Sequence, residues 1–139
     1  MMPTTEQIQA IFSSAHTGND FPRIATELKN TGIRGFSYHI ASGNTLCYDD
    51  EGETLTLSGS RKLDKAIAQQ KNLARLSHSL REYRAGLTDF TTFSQQAAEA
   101  GVNLWVADLN RMTISYFTSS GYLIREETIS EILNSSVHE

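Results

Sequence analysis

His39 and Cys47 have side chains that could bind a metal or take part in nucleophilic catalysis. They fall on neighbouring predicted strands, which makes them candidates for a metal pair or for a Cys–His nucleophile. A metal site needs more than two ligands, and a nucleophilic pair needs an oxyanion hole and an orienting group that the sequence does not offer. Cys47 is therefore predicted to be a small buried hydrophobe. We expect no metal site, no catalytic residue and no cofactor.

A second candidate lies where a strand is expected to lead into a helix, at Gly59-Ser60-Arg61-Lys62. Free N–H groups at the start of a helix, beside two cationic side chains, attract anions. The segment lacks the glycine pattern of a phosphate loop. A plain helix start capped by Ser60 is the alternative interpretation.

The basic residues concentrate in one stretch of a chain whose net charge is −4. Residues 61–84 carry seven basic and two acidic side chains, whereas both flanking parts are acidic. Such a stretch is typical of a surface that contacts phosphate or an acidic partner, but it also fits the solvated face of a helix. The candidate residues for binding nucleic acid or another anion are Arg61, Lys62, Lys65, Lys71, Arg75, Arg81 and Arg84.

A third candidate is a concave surface on the predicted sheet. The polar face of the first strand holds His39, and Asp108 follows Trp105 at a hairpin turn, where Asp is also favoured for its own hydrogen bonding. Spacing alone leaves open whether these side chains converge. The candidate ligand-binding residues are His39, Arg61, Trp105, Asp108 and Tyr116.

The elements that must position these residues follow from the period of the apolar residues. Thr4 and Gln7 have capping-box spacing and open a first helix, and Pro22 lies in the first turn of a second. From Ile33 the period changes from 3.6 to two, which predicts a three-stranded antiparallel meander. The basic stretch has two differently oriented apolar faces, so we expect two helical pieces, with Asn72 capping the second.

A further helix is predicted to begin at Thr88 or Asp89, followed by a hairpin with strands at 102–109 and 112–118. The hairpin is apolar on both faces, which indicates a central position in the sheet. Residues 127–133 are predicted to form a short closing helix. We place Trp105 and Phe117 on one face of the hairpin. The opposite face is predicted to hold Val106, Ile114 and Tyr116.

The resulting order, ααβββ(αα)αββα, groups the strands into antiparallel sets and predicts an α+β fold. We expect two layers, with a single antiparallel sheet of about five strands (the three-strand meander plus the hairpin) and helices packed on it. The length of 139 residues suits one domain over 1–139 with a single core. No internal repeat, linker or low-complexity tract is visible.

Composition limits the class of protein further. The single cysteine rules out a scaffold held by intramolecular disulfides, and no apolar run is long enough for a transmembrane helix. The first residues show no signal-peptide pattern. We therefore expect a cytoplasmic protein.

Several segments carry a resemblance to a known family: G-S-R-K-L at 59–63, A-G-V-x-x-W-V-x-D at 100–108 and S-Y at 115–116. Together they resemble the YdfO-like family, small bacterial and prophage-borne proteins of unknown function that are often described as phage envelope proteins. The resemblance runs over roughly residues 21–127. It implies an α+β fold and supplies no catalytic residues.

The leading hypothesis is an uncharacterised, phage-related cytoplasmic protein that serves as a non-enzymatic binding or regulatory domain. One alternative is binding of nucleic acid or of an acidic partner through residues 61–84. The other is a small-molecule or enzymatic site on the sheet near His39, Arg61 and Tyr116. No membrane partner is expected, and an exposed strand edge could pair two copies of the chain.

Overall fold

The computed structural model describes residues 2–15, 20–59 and 66–129, and it confirms the α+β class. In chain order its elements are α1 (Thr5–Ser13), α2 (Phe21–Asn30), β1 (Ile33–His39), β2 (Asn44–Asp49), β3 (Thr54–Leu57), α3 (Leu73–Arg84), α4 (Phe90–Glu99), β4 (Leu104–Asp108), β5 (Thr113–Phe117) and β6 (Leu123–Thr128).

Capping hydrogen bonds fix the helix starts that the sequence predicts. The Thr4 hydroxyl accepts from the Gln7 backbone N–H, and the Gln7 side chain accepts from the Thr4 backbone N–H. The Asn72 side chain accepts from the Arg75 N–H at 3.0 Å, and the Asp89 carboxylate caps α4 in the same way. Each bond satisfies a backbone donor that has no partner within the helix.

The residues before Asn72 differ from the prediction, because 66–72 form no helix. The backbone N–H of Ala68 donates to the carbonyl of Ala98, and that of Asn72 donates to Ala100. These bonds tie the segment to the end of α4 and replace helical hydrogen bonds. The first predicted helical piece is therefore wrong over the described residues 66–71, and residues 60–65 lie outside the described part.

The strands form one antiparallel sheet in the order β3-β2-β1-β4-β5-β6. The predicted meander and hairpin are both present, and the hairpin strands lie inside the sheet as expected. The sheet has six strands rather than five, because β6 occupies the start of the predicted closing helix. A bulge near Tyr116 and Phe117 leaves both Ile124 and Glu127 buried. The predicted closing helix is therefore wrong at Glu127 and Thr128, which pair with β5, and residues 130–133 lie outside the described part.

The same ααβββ unit occurs twice in the chain. α2 begins at Phe21 and α4 begins at Phe90, 69 residues later. The start of β2 is separated from the start of β5 by the same interval, and so is the start of β3 from the start of β6. Gly32 and Gly101 follow these helices with φ of 104° and 91°. The prediction of no internal repeat is therefore wrong. We name α1 to β3 the first repeat and α3 to β6 the second repeat.

Pairing at the centre of the sheet relates the two repeats. β1 and β4 lie side by side and antiparallel, with Tyr38 opposite Trp105 and Phe36 opposite Ala107. Phe36 and Trp105 occupy equivalent positions of the two repeats, and so do Tyr38 and Ala107. Each repeat therefore makes the same pairs with the other. The repeats are therefore related by an approximate twofold axis between β1 and β4.

Each repeat packs its helices on the same face of the sheet and supplies most of one of two apolar clusters. In the first repeat Ile8, Leu28 and Ile33 are fully buried, and in the second Leu76 and Val102 are. We call this side the helix-covered face and the other side the open face. The helix layer thus consists of two pairs, one from each repeat.

Gly101 is expected to tolerate alanine less well than Gly52. Both have positive φ, of 91° and 85°, which costs an alanine about 1–2 kcal/mol. A Cβ atom at Gly101 would also lie 2.8 Å from the Gln70 carbonyl oxygen, whereas at Gly52 it would meet nothing within 4 Å. In urea unfolding, Gly101→Ala should therefore lose clearly more free energy of unfolding than Gly52→Ala. Equal losses would contradict the packing of 66–72 against α4.

Candidate ligand-binding cleft

The register of the strands separates the residues that the sequence suggested as one ligand-binding surface. Trp105 lies opposite both Tyr38 and Tyr116, so these three side chains share the helix-covered face. His39 and Asp108 alternate with them and lie on the open face. The structure therefore brings Trp105 and Tyr116 together, and it places His39 and Asp108 on the far side of the sheet. Arg61 lies outside the described residues.

The two open-face residues have local partners. The His39 ring Nε2 lies 3.1 Å from the Ser37 hydroxyl, two residues away on the same strand. The Asp108 carboxylate accepts from the backbone N–H groups of Asn110 and Arg111 at 3.0 and 3.1 Å, as expected for a residue that shapes a turn.

Cys47 is fully buried on the helix-covered face, and burial raises the pKa of its thiol to about 11. The expected approach of His39 to Cys47 does not occur, because His39 pairs with Asn44 on β2 while Cys47 pairs with Phe36 on β1. The prediction that Cys47 is a small buried hydrophobe is confirmed.

The predicted faces of the β4–β5 hairpin are wrong. Trp105 shares its face with Tyr116 and Ile114, and Phe117 lies on the other face with Val106. Side chains alternate between the two faces along each strand, as predicted. The turn pairs Asp108 with Thr113, and this register decides which residues of β5 share a face with Trp105.

A cleft of about 590 Å³ lies above the central strands, between the helix pairs of the two repeats. Its floor comes from the helix-covered face of the sheet, and its walls come from all four helices. The described residues that line it are Gln9, Phe12, Ser13, Ala15, Phe21, Ile24, Phe36, Tyr38, Gly43, Thr45, Leu57, Ser58, Gly59, Leu80, Tyr83, Arg84, Phe90, Phe93, Trp105, Ile114 and Tyr116.

Aromatic rings dominate the side of the cleft formed around Trp105. The Tyr38 ring stacks on Trp105 with centroids 4.8 Å apart, and Phe90 meets both rings edge to face. Tyr83 stacks on Phe93 at 4.9 Å. Ring pairs in such geometry stabilise a structure beyond the area that they bury, so these contacts support this wall of the cleft.

Arg84 is the only charged side chain among the described residues that line the cleft. Its two terminal nitrogens donate to the Glu127 carboxylate at 2.9 and 2.6 Å, a bidentate pair. Arg125 also donates to Glu127 at 2.9 Å, and to the Ser77 hydroxyl at 2.8 Å. The Tyr116 hydroxyl also lies close enough to Arg84 to influence its pKa. We name Arg84, Tyr116, Arg125 and Glu127 the arginine cluster.

Burial and charge together set the protonation of this cluster. Burial alone would raise the pKa of Glu127, but the hydrogen bonds and charges of Arg84 and Arg125 outweigh it and lower that pKa. The bonds to Glu127 likewise outweigh burial and raise the pKa of Arg84. Burial raises the pKa of Tyr116 far above its ordinary value. At neutral pH the cluster therefore holds two guanidinium groups, one carboxylate and a protonated tyrosine.

Tyr83, on the wall beside Arg84, also keeps its proton. Burial raises the pKa of its hydroxyl to about 12, with added contributions from the nearby carboxylates of Asp20 and Asp89. Neither aspartate is among the residues that line the cleft. Each lies at the start of a helix, α2 or α4.

The basic stretch does not form one continuous surface in the part of the chain that the structure describes. Lys71 and Arg81 are exposed, and Arg75 pairs with Glu99 at 2.9 Å. Arg84 belongs to the buried arginine cluster, where its side chain is 13% exposed. Arg61, Lys62 and Lys65 lie outside the described residues.

Sequence reasoning missed most of the cleft. Phe21, Phe90 and Phe93 were not among the candidate binding residues, and Arg84 was proposed only as part of a basic surface. Glu127 was placed in a helix without a partner. The charge pattern held one usable signal, since Arg125, Glu126 and Glu127 are three consecutive charged residues between Ile124 and Ile129.

Among the described residues, no group of three or more His, Cys, Asp or Glu side chains could hold a metal ion. In the same part of the chain, no helix has the length and apolar character needed to cross a membrane.

Comparison with known proteins places the chain in a family. The model of a family described as "Protein of unknown function (DUF1398)" matches residues 9–128. The uncharacterized protein YcgX of Escherichia coli (strain K12) is 27% identical over 121 residues, which cover 87% of this chain and 90% of that protein. The uncharacterized protein Rv2012 of Mycobacterium tuberculosis (strain ATCC 25618 / H37Rv) is 33% identical over 101 residues, 71% of this chain and 60% of that protein. Since the family model covers most of its length, the chain belongs to the DUF1398 family of proteins of unknown function.

Proposed function

We propose that this protein is a binding domain that takes a small, mainly apolar molecule into the cleft between its two repeats. The cleft carries this proposal. Its volume of about 590 Å³ lies within the range of about 300–1,000 Å³ typical of small-molecule sites. Its lining is largely aromatic and aliphatic with a few polar groups, which is the usual composition of such sites.

Its position supports the proposal as well. Ligand sites often lie where two structural units meet, because each unit completes its own core and leaves a gap between them. Here Phe36 and Trp105, and likewise Phe21 and Phe90, are equivalent residues that reach the cleft from the two repeats. A flat or compact apolar molecule would thus contact aromatic rings on both sides.

The protonation states favour binding over catalysis. Tyr83 and Tyr116 keep their protons at neutral pH, and Arg84 keeps its charge. Groups with pKa values so far from neutrality donate hydrogen bonds well but transfer protons poorly. A regulatory or carrier role fits these properties better than turnover.

Nucleic-acid binding through residues 61–84 has less support. Of the described basic residues in that stretch, Arg84 is buried and Arg75 is paired with Glu99. Binding that weakens steeply with salt would favour this alternative. The YdfO-like and phage-related assignments, and the cytoplasmic location, remain predictions of the sequence.

The experiment uses Trp105, which is the only tryptophan of the chain and lies in the floor of the cleft. Apolar compounds transparent at the red edge of tryptophan absorption, such as para-butylbenzamide and para-butylbenzoate, are titrated while Trp105 emission and thermal unfolding are followed. We expect a saturable change in emission. A compound at a hundred times its dissociation constant should add about 2.7 kcal/mol to the free energy of unfolding.

Two variants of one residue type provide the control. Thr45→Phe places a ring in the cleft, at the position equivalent to Ile114 of the second repeat, and should abolish the response. Thr56→Phe places the same ring on the open face, where Thr56 is exposed, and should leave the response unchanged. Absence of a saturable response across the panel, or equal responses from both variants, would overturn the proposal.

A further inference from the structure

The internal repeat provides a comparison for the arginine cluster within the same chain. In the second repeat Tyr116 lies opposite Arg125 on the neighbouring strand, and in the first repeat Cys47 lies opposite Leu55. Two residues further along the outer strand, Glu127 of the second repeat corresponds to Leu57 of the first. The first repeat therefore has apolar side chains at the positions where the second repeat has a tyrosine and two charged groups.

This difference indicates that the fold does not need the charges. Removing charged groups from water is costly, and apolar residues of similar size often stabilise such a site equally well or better. Cys47 and Leu57 show that the same ααβββ unit buries apolar side chains there, at 0% and 8% exposure. A role other than stability therefore accounts better for the buried charges of the second repeat.

The charges of the cluster do not cancel. Arg84 and Arg125 contribute two positive charges and Glu127 one negative charge, so the cluster carries one excess positive charge. Arg84 presents this charge to the cleft, as the only charged lining residue among those described. The Nε atom of Arg125 is buried and has no hydrogen-bond partner in the described part of the chain. A low-dielectric site with unbalanced positive charge favours an anion.

We propose that the ligand of the cleft is an amphipathic carboxylate, whose apolar body lies among the aromatic rings and whose carboxylate is bound by Arg84. Glu127 and Arg125 position Arg84, and Tyr116 offers a protonated hydroxyl beside it. This inference rests on the proposed function and names its ligand class. Arginine suits the role because its planar guanidinium donates several parallel hydrogen bonds and keeps its charge when buried.

The test compares para-butylbenzoate, the amide para-butylbenzamide and the amine para-butylbenzylamine. The three have the same apolar body and differ in charge. With the wild-type protein, the carboxylate should bind about tenfold more tightly than the amide, as one charge-assisted hydrogen bond provides. The amine should bind more weakly than the amide. Dissociation constants come from Trp105 emission and calorimetry.

A triple variant gives the second repeat the apolar character of the first: Arg84→Met, Arg125→Leu and Glu127→Leu. All three charges are removed together, so no buried charge is left without a partner, and the fold should persist. The variant should bind the amide as before and lose the preference for the carboxylate. Arg81→Gln is the matched control, since Arg81 is an exposed arginine of the same helix, and it should keep the preference.

The outcomes separate the two proposals. Equal binding of carboxylate and amide by the wild-type protein would overturn the carboxylate assignment and leave the proposed function standing. Failure of all three compounds to bind would overturn both. A triple variant that folds and keeps the preference would overturn the role of the arginine cluster. The wild-type comparison decides the ligand class even if the triple variant does not fold.

Discussion

Glu127→Ala is expected to lower the free energy of unfolding by about 3–5 kcal/mol, because it leaves the buried guanidinium of Arg84 and the partly buried guanidinium of Arg125 without their shared carboxylate. The side chain of Glu127 is 7% exposed and that of Arg84 13%, so water cannot replace the lost partner at low cost. Urea unfolding followed by circular dichroism measures the loss.

The neighbouring Glu126 provides the control. It is exposed on the open face, where it accepts from Ser115 and lies 3.9 Å from Arg111. Exposed pairs of this kind contribute about 0–1 kcal/mol, so Glu126→Ala should have a small effect. A loss at Glu127 no larger than that at Glu126 would show that the arginine cluster does not form as described.

The effect of Glu127 also depends on pH in a defined direction. Its pKa in the folded state is lowered from the ordinary 4.5, so the folded protein binds this proton less readily than the unfolded chain does. The stabilisation is present above pH 4.5 and is lost as the pH falls through the folded pKa. The difference between wild type and Glu127→Ala should therefore persist near neutrality and shrink only in more acidic solution.

Trp105→Ala is expected to cost about 3–5 kcal/mol, the usual loss for a large buried aromatic residue. The indole is 6% exposed and contacts Tyr38, Phe90, Phe93 and Tyr116 at centroid distances of 4.8–6.0 Å. Its removal would leave a cavity where both repeats meet. Circular dichroism is the appropriate signal, since the variant has no tryptophan to report unfolding.

Trp105→Phe serves as the graded comparison. The first repeat has Phe36 at the equivalent position, so a phenyl ring suits this place in the fold, and the loss should be less than half that of alanine. Tyr122→Ala, at a side chain that is 69% exposed, should change stability by less than about 0.5 kcal/mol. Equal losses for the phenylalanine and alanine variants at position 105 would contradict the aromatic packing.

Local patterns in the sequence predicted most of the elements correctly. Thr4, Asn72 and Asp89 mark helix starts because each side chain bonds a backbone N–H only a few residues away. The change of apolar period at Ile33 marks β1, because alternation follows from the geometry of a single strand. These features depend on neighbours in the chain, so the chain order alone reveals them.

The predictions that failed depend on distant parts of the chain. Glu127 and Thr128, predicted to begin a helix, belong to β6 because β5 offers an edge with which this segment pairs. Residues 66–72 stayed out of a helix because the end of α4 accepted their hydrogen bonds. The repeat could not be predicted from the sequence, because its two copies have few identical residues. They share only the positions of their helix ends, turns and buried residues.

The amino-acid sequence by itself determined the α+β class, the helix caps and the alternation within each strand, since these arise from interactions over a few residues. Tertiary structure alone decided that His39 and Tyr116 lie on opposite faces, that the two repeats leave a cleft between them, and that Arg84 meets Glu127 from 43 residues away. The physical reason is that strand register and helix packing are set by which surfaces meet, and a one-residue change of register moves a side chain to the other side of the sheet.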